Sequence, residues 1–174
     1  LPQAYTGKGV VVGVQDIGFD LTHPTFYNAD MTEYRIKALW DQLSKDTQGS
    51  TLPVGRDYRG TEELLQIGHP LDGLTQTHGT HTAGIAAGSG AEGAGKTSPY
   101  RGIAYEADIV MVANAAGDNI ELIDKEDYYK YTYATDALGF KYIFDYADSQ
   151  GKPCVINFSE GGHQDFHGYD QLYY

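Results

Sequence analysis

Two imidazoles three residues apart, His78 and His81, stand among small residues in Thr77-His-Gly-Thr-His-Thr-Ala-Gly84. An imidazole can serve as metal ligand, general base or hydrogen-bonded scaffold. On a helix, a three-residue separation puts both rings on neighbouring positions of one face. Gly79 and Ala83 would let that helix press closely against another backbone. A second chemical candidate is Asp16, which follows the run Val10-Val-Val-Gly-Val14. A carboxylate that accepts from an imidazole Nδ1 fixes the tautomer, stabilises the imidazolium and frees Nε2 to act as a base.

Positioning these groups requires a scaffold, and the apolar pattern supplies one. The β-branched run to Val14 reads as a strand buried on both faces, with Asp16 at its carboxyl end, where open α/β sheets place ligands. Further strands are expected at Arg35–Trp40, Ala107–Ala113 and Val155–Phe158. A helix from His78 to about Gly88 would set His78 at its start. A second, amphipathic helix spans Thr132–Gln150, with Ala134, Leu138, Tyr142 and Ala147 facing inward and Gly151 as its stop signal. Residues 41–76 read as a long polar surface insertion around a short helical patch, Thr61–Gln66, weakly capped by Thr61. Residues 89–101 read as a loop, and Asn114 to about Lys130 as an acidic connection flanked by tyrosines. Pro24 disfavours helix at His23, which reads as an extended, structural loop residue. Strands alternating with helices argue for an α/β fold with a parallel sheet.

Composition narrows the function. The chain has 174 residues, enough for one domain, and its 12 Lys and Arg against 24 Asp and Glu give a net charge of −12. Nucleic acid is a poor partner for such a surface. No apolar run approaches the ~20 residues of a membrane span. Cys154 is the one cysteine and lies in Pro153-Cys-Val-Ile-Asn157, so it reads as a buried thiol acting as a small hydrophobe. The start at Leu1-Pro2 suggests a processed or engineered boundary, and the end at Leu172-Tyr-Tyr174 falls within what reads as a starting helix.

Two other chemistries compete. Zinc could take His78, His81 and either Asp16 or His69, but helical zinc histidines ordinarily stand four apart with a Glu between them. Dinucleotide binding through Gly7-x-Gly9 fails on placement, because these glycines precede the strand instead of opening a helix.

Four segments together carry a resemblance. Val12-Gly-Val-Gln-Asp-Ile-Gly-Phe-Asp20, followed by His23-Pro24, resembles the Asp motif of subtilisin-like serine proteases, the subtilases. His78-Gly-Thr-His-Thr-Ala-Gly84 is similar to their His motif. Arg101-Gly-Ile-Ala104 resembles the turn before their third strand, and Val155-Ile-Asn-Phe-Ser-Glu-Gly-Gly162 the strand that lines their substrate cleft. The chain order Asp, His, then Ser is that of subtilisin.

The resemblance implies a three-layer α/β/α fold whose sheet, in family order 2-3-1-4-5-6-7, is incomplete here. Residues 1–174 would be the N-terminal portion of a single catalytic domain, keeping its first four strands. It implies Asp16 as orienting acid, His78 as general base and His81 as a structural histidine bonded back into the scaffold. Asn157, Ser159, Glu160 and Gly161 would offer an extended edge to a peptide or protein substrate. Glu160 stands where the family usually has an apolar residue, which suggests a preference for basic substrate side chains.

The family's Gly-Thr-Ser-x-Ala nucleophile motif and its oxyanion-hole Asn do not occur among these residues, whose serines are Ser44, Ser50, Ser89, Ser98, Ser149 and Ser159. The chain alone is therefore expected to be inactive. The alternative is a non-catalytic pseudoprotease that binds peptides. Calcium is common in the family, but the loop Gly88–Tyr100 has Glu92 as its only carboxylate, so no calcium site is expected there; the long acidic insertions could hold a weak one, and no other cofactor is expected. The resemblance also implies a secreted or cell-surface location. The unpaired, apolar outer edge of Cys154–Phe158 suggests a homo-oligomer.

Overall fold

The continuous β-branched run does become a strand, β1 (Val11–Asp16), and all its residues are buried. The computed structural model describes residues 5–93 and 95–159. After β1 come β2 (Ile36–Asp41), β3 (Arg56–Arg59), α1 (Thr61–Ile67), α2 (His78–Ala87), β4 (Asp108–Ala113), α3 (Tyr133–Ser149) and β5 (Cys154–Phe158). Short 3-10 turns at Pro24–Phe26, Ala91–Gly93, Ile120–Leu122 and Lys125–Lys130 punctuate the connections.

The sheet order is β3-β2-β4-β1-β5. Its parallel members follow the order expected from the resemblance: β1 lies between β4 and β5, and β2 pairs with the far side of β4. The sheet is nevertheless mixed, because β3 runs antiparallel to β2, with Leu39 opposite Tyr58. That strand lies inside the stretch read as a surface insertion. Residues 41–76 also give the core Val54, Tyr58 and Leu64, so the stretch extends the sheet. Its polar sequence concealed a four-residue edge strand that buries one side chain, Tyr58.

Alternation along the strands makes two apolar layers. Val12, Val14, Ile109 and Met111 face α1 and α2, meeting Leu64, Ala83 and Ala87. Val11, Val110, Val112 and Trp40 face α3, meeting Tyr142, Ile143 and Ala147. In β2 a bulge shifts the register between Ile36 and Ala38, so Ile36 and Leu39 share a face despite their spacing. The three layers are α1 and α2, then the sheet, then α3.

Two local expectations need correction. α1 starts after Gly60 (φ 82°) with no side-chain cap, and Thr61 is its first helical residue. Glu63 instead accepts the Arg59 N–H at 2.9 Å. On α3, Tyr142 and Ala147 are buried, but Ala134 and Leu138 are exposed and Thr135, Gly139 and Ile143 take the inner face. The capping box sets that rotation: Thr132 Oγ1 accepts from Ala134 N–H, while Thr135 Oγ1 accepts from Thr132 N–H. Gly139 is required because a Cβ there would overlap the buried Gln15 amide. Gly151, with φ 61°, follows the last turn as expected.

Candidate active site

β1 delivers Asp16 to the carboxyl end of the sheet, with its side chain 3% exposed. Gly18 then turns the chain with φ 70°, and a Cβ there would overlap the Gln76 carbonyl, so both conformation and space demand glycine. The loop after Asp16 runs directly into the start of α2. A helix N-terminus has unpartnered N–H groups, and Thr77 supplies no side-chain cap. Backbone carbonyls of the loop do it instead: Ile17 O accepts from Gly79 N–H at 2.6 Å, and Gly18 O from Thr80 N–H at 3.0 Å. Gly79 allows this approach; a Cβ would come within 2.7 Å of the Phe19 ring and 2.9 Å of Gly18 O.

The consequence is an imidazole held against a carboxylate. His78 Nδ1 lies 2.6 Å from Asp16 Oδ1. Asp16 is otherwise an acceptor: Oδ1 takes the Ile17 N–H at 2.7 Å and Oδ2 the Thr82 hydroxyl at 2.8 Å. Against an accepting carboxylate, His78 carries its proton on Nδ1, which leaves the Nε2 lone pair available. The His78 side chain is 51% exposed, and its Nε2 has no hydrogen-bond partner among the described residues. One imidazole edge is fixed and the other is open, which suits a general base.

His81, expected to bond back into the scaffold, is exposed; its N–H donates to Thr77 O at 3.2 Å, but its imidazole makes no hydrogen bond among the described residues. One turn of helix carries its ring away from the loop that captures His78. Asn157 and Ser159 lie at the end of β5, where Asn157 Nδ2 donates to Ser159 Oγ at 2.9 Å. Glu160 and Gly161 lie outside the described residues. His23 is extended as expected, and its Nδ1 accepts the Thr25 N–H at 3.2 Å. Cys154 is half-buried, and burial pushes its thiol up. Among the described residues, no group of three or more His, Cys, Asp or Glu is arranged to hold a metal ion. No described helix is long and apolar enough to cross a membrane.

Four polar residues around the site, Thr82, Asp72, Asn119 and Asp41, were not singled out from the sequence. Thr82 could have been found, since it stands one helical turn beyond His78. Asp72 and Asn119 could not, because Asp72-Gly73 and Asp118-Asn119 read locally as turns. Both are buried, and Asn119 Nδ2 donates to Asp72 Oδ2 at 2.9 Å. Asp41, at the end of β2, is buried too; its Oδ1 accepts from Leu43 N–H and its Oδ2 from Leu71 N–H. Burial pushes the Asp41 carboxyl up to about 7, with nearby Asp72 adding to the effect against the lowering bonds from Leu71 and Leu43.

Comparisons with known proteins bear on the family and the fold. The chain is similar to the PII-type proteinase of Lacticaseibacillus paracasei, 30% identical over 114 residues that make up 62% of this chain and 6% of that protein. Among solved structures, the Clostridium perfringens CspB protease superposes with a TM-score of 0.66 at 26% identity, covering 98% of this chain and 33% of that one. The chain thus spans a third or less of the length of these relatives. The model of the subtilase family matches residues 7–171, nearly the whole chain, and the chain belongs to that family.

Proposed function

We propose that this chain is the Asp- and His-bearing part of a serine endopeptidase that hydrolyses peptide bonds through an Asp-His-Ser triad. The observation that carries this reading is the 2.6 Å bond between His78 Nδ1 and the buried Asp16, with Nε2 left open. In this reading Asp16 orients and His78 takes the proton from a serine hydroxyl as it attacks the substrate carbonyl. The serine and its oxyanion hole belong to sequence following Tyr174 in the longer protein. Residues 1–174 would then bind without cleaving, as the N-terminal portion of one catalytic domain.

The outer edge of β5, which has no partner strand among the described residues, would receive the substrate backbone as an added strand, with Asn157, Ser159, Glu160 and Gly161 as its binding residues. A Glu160→Gln substitution in the longer enzyme would remove any preference for basic substrate side chains. Identical subsite preferences in both forms would refute that assignment. The same edge, next to an apolar hollow lined by Phe144 and the 57% exposed Val155, supports self-association of residues 1–174. A monomer at high concentration in sedimentation would count against it. Membership of the subtilase family supports a secreted or cell-surface location.

The deciding experiment labels the longer protein with a serine-directed fluorophosphonate. Wild type should label and hydrolyse peptides, whereas His78→Ala should lose about 10⁴- to 10⁶-fold in kcat. Peptide binding with neither labelling nor turnover would instead identify a pseudoprotease.

A further inference from the structure

The peptide joining Ile17 and Gly18 is gripped on both edges. Its carbonyl, Ile17 O, accepts the Gly79 N–H at 2.6 Å, from the first turn of the helix that carries His78. Its N–H, on Gly18, donates to Asp72 Oδ2 at 3.1 Å. A peptide unit is planar and stiff, so rotation about its flanking bonds would break both contacts together. This same loop also gives Asp16 Oδ1 the Ile17 N–H, on the oxygen that meets His78.

Asp72 is itself secured. It is buried, and its Oδ2 also accepts from Asn119 Nδ2 at 2.9 Å. Asn119 is anchored in turn: Nδ2 donates to Asn114 O at 2.9 Å and Oδ1 accepts the Ala116 N–H at 2.8 Å. On the other side, Leu71 N–H donates to Asp41 Oδ2 at 2.9 Å. The segment before α2 is therefore tied to the ends of β1, β2 and β4.

We infer that Asp72, held by Asn119, is a positioning residue that fixes the Ile17–Gly18 peptide and through it the alignment of His78 on Asp16. This rests on the protease reading for its purpose, though not for its geometry. Hydrogen bonding carries the effect, without any need for a negative charge. Asp72 Oδ1 is buried with no hydrogen-bond partner among the described residues, so the ionised form is poorly accommodated. Burial pushes the carboxyl up, and Asp16 nearby pushes it the same way. An Asn at this position presents one oxygen to the same two donors and puts its NH₂ where Oδ1 stands.

The test is proton NMR of the 174-residue chain, following the deshielded Nδ1–H of His78 that a short bond to a carboxylate produces. His78→Ala assigns the signal by removing it. Asp72→Ala should abolish it or broaden it beyond detection while Trp40 fluorescence reports an intact core. Asp72→Asn should restore it near its wild-type position, and Asn119→Ala should weaken it. The inference fails if Asp72→Ala leaves the signal unshifted, or if folded Asp72→Asn loses it completely. Should Asp72→Ala unfold, Asn119→Ala and Asp72→Asn carry the same decision, and an unchanged signal in Asn119→Ala overturns the inference. A wild-type chain with no such signal would remove the Asp16–His78 pair, and the protease reading with it. Failure in the variants alone would leave that reading standing.

Discussion

The two ends of α2 both bury charge, and they do so in opposite ways. At its carboxyl end lies Arg35, 3% exposed and facing no carboxylate within hydrogen-bonding reach among the described residues. Its guanidinium donates to four backbone carbonyls: Tyr27 O at 3.0 Å, Ala107 O at 3.1 Å, Thr25 O at 2.8 Å and Ala87 O at 2.6 Å. Ala87 closes α2, where carbonyls lack partners and a cation is favourable. Burial pulls this guanidinium down to about 10, against the raising influence of Asp108, Glu33 and Glu106, so it stays charged at neutral pH. At the amino end stand Asp16, Asp41 and Asp72, with one carboxylate oxygen unpartnered and a half-exposed imidazole. One end has its donors occupied by main chain, which suits a structural clamp. The other keeps unspent hydrogen-bonding capacity beside a half-exposed imidazole, as a site needs if it is to handle protons.

The largest effect is expected at the clamp. Arg35→Ala leaves carbonyls of the Pro24–Phe26 turn, α2 and the entry to β4 without their donor, and should destabilise the fold by about 3–5 kcal/mol. Arg35→Lys keeps the charge but cannot match the planar fork, so it should recover only part of that loss. Urea denaturation measures both. A Lys variant as stable as wild type would show that charge near the helix end suffices and that the carbonyl geometry is incidental.

Next in size is Gly18→Ala. The substitution puts a side chain at φ 70° and into the Gln76 carbonyl, so about 2–4 kcal/mol should be lost. Unlike the Arg35 change, it should also misalign His78, because Gly18 O receives Thr80 N–H. Losing stability while keeping the deshielded His78 proton would mean that the loop and the helix start are less tightly coupled than their bonds imply.

What the sequence displayed follows from the range of the forces involved. Asp16 was legible because a β-branched run announces a buried strand and Gly18 its sharp exit. His78 was legible because small residues flank it at the start of an apolar helix. β3 was not, since a short edge strand burying only Tyr58 has almost no apolar period to detect. The face of α3 was misplaced because it depends on the cap at Thr132 and on the room Gln15 needs above β1, a contact 124 residues away in sequence between Gln15 and Gly139. Asp72 and Asn119 were invisible for the same reason: their meaning lies in partners across the fold, and locally they spell turns. Arg35 likewise reads as an ordinary strand-edge charge until its four carbonyls come together.

The two ends should also differ in their response to pH. Arg35 stays charged throughout the neutral range. Asp41 holds its proton in the folded state to about pH 7, whereas its ordinary value is 3.8. Between these values the folded chain binds more protons than the unfolded one, so stability falls as pH rises. The contribution is fully present below about pH 4 and is lost as pH passes through about 7, with a slope of at most ~1.4 kcal/mol per pH unit. Thermal unfolding at pH 5 and pH 8 should therefore show a decline of up to about 3 kcal/mol attributable to this group. Asp41→Asn should flatten the decline, although it gives up one of the bonds to Leu43 or Leu71. Parallel profiles for the two proteins would mean that Asp41 ionises normally.

The smallest effect concerns Thr82, which donates to the Asp16 oxygen that His78 does not use. Val is nearly isosteric but lacks the hydroxyl, so Thr82→Val should cost about 1 kcal/mol, and Thr82→Ser should stay within a few tenths of wild type. The value is small because Asp16 still has Ile17 N–H and His78 on its other oxygen. A carboxylate held on one oxygen can rotate, however, and rotation would lengthen the bond that sets the His78 tautomer. Thr82→Val should therefore broaden the deshielded His78 proton more than its stability loss alone implies. A change of equal stability cost at the other end, made by trimming the core around Arg35, should leave that proton untouched. If both substitutions disturbed the imidazole equally, α2 would be transmitting strain along its length, and its two ends would not be the separate devices their hydrogen bonds describe.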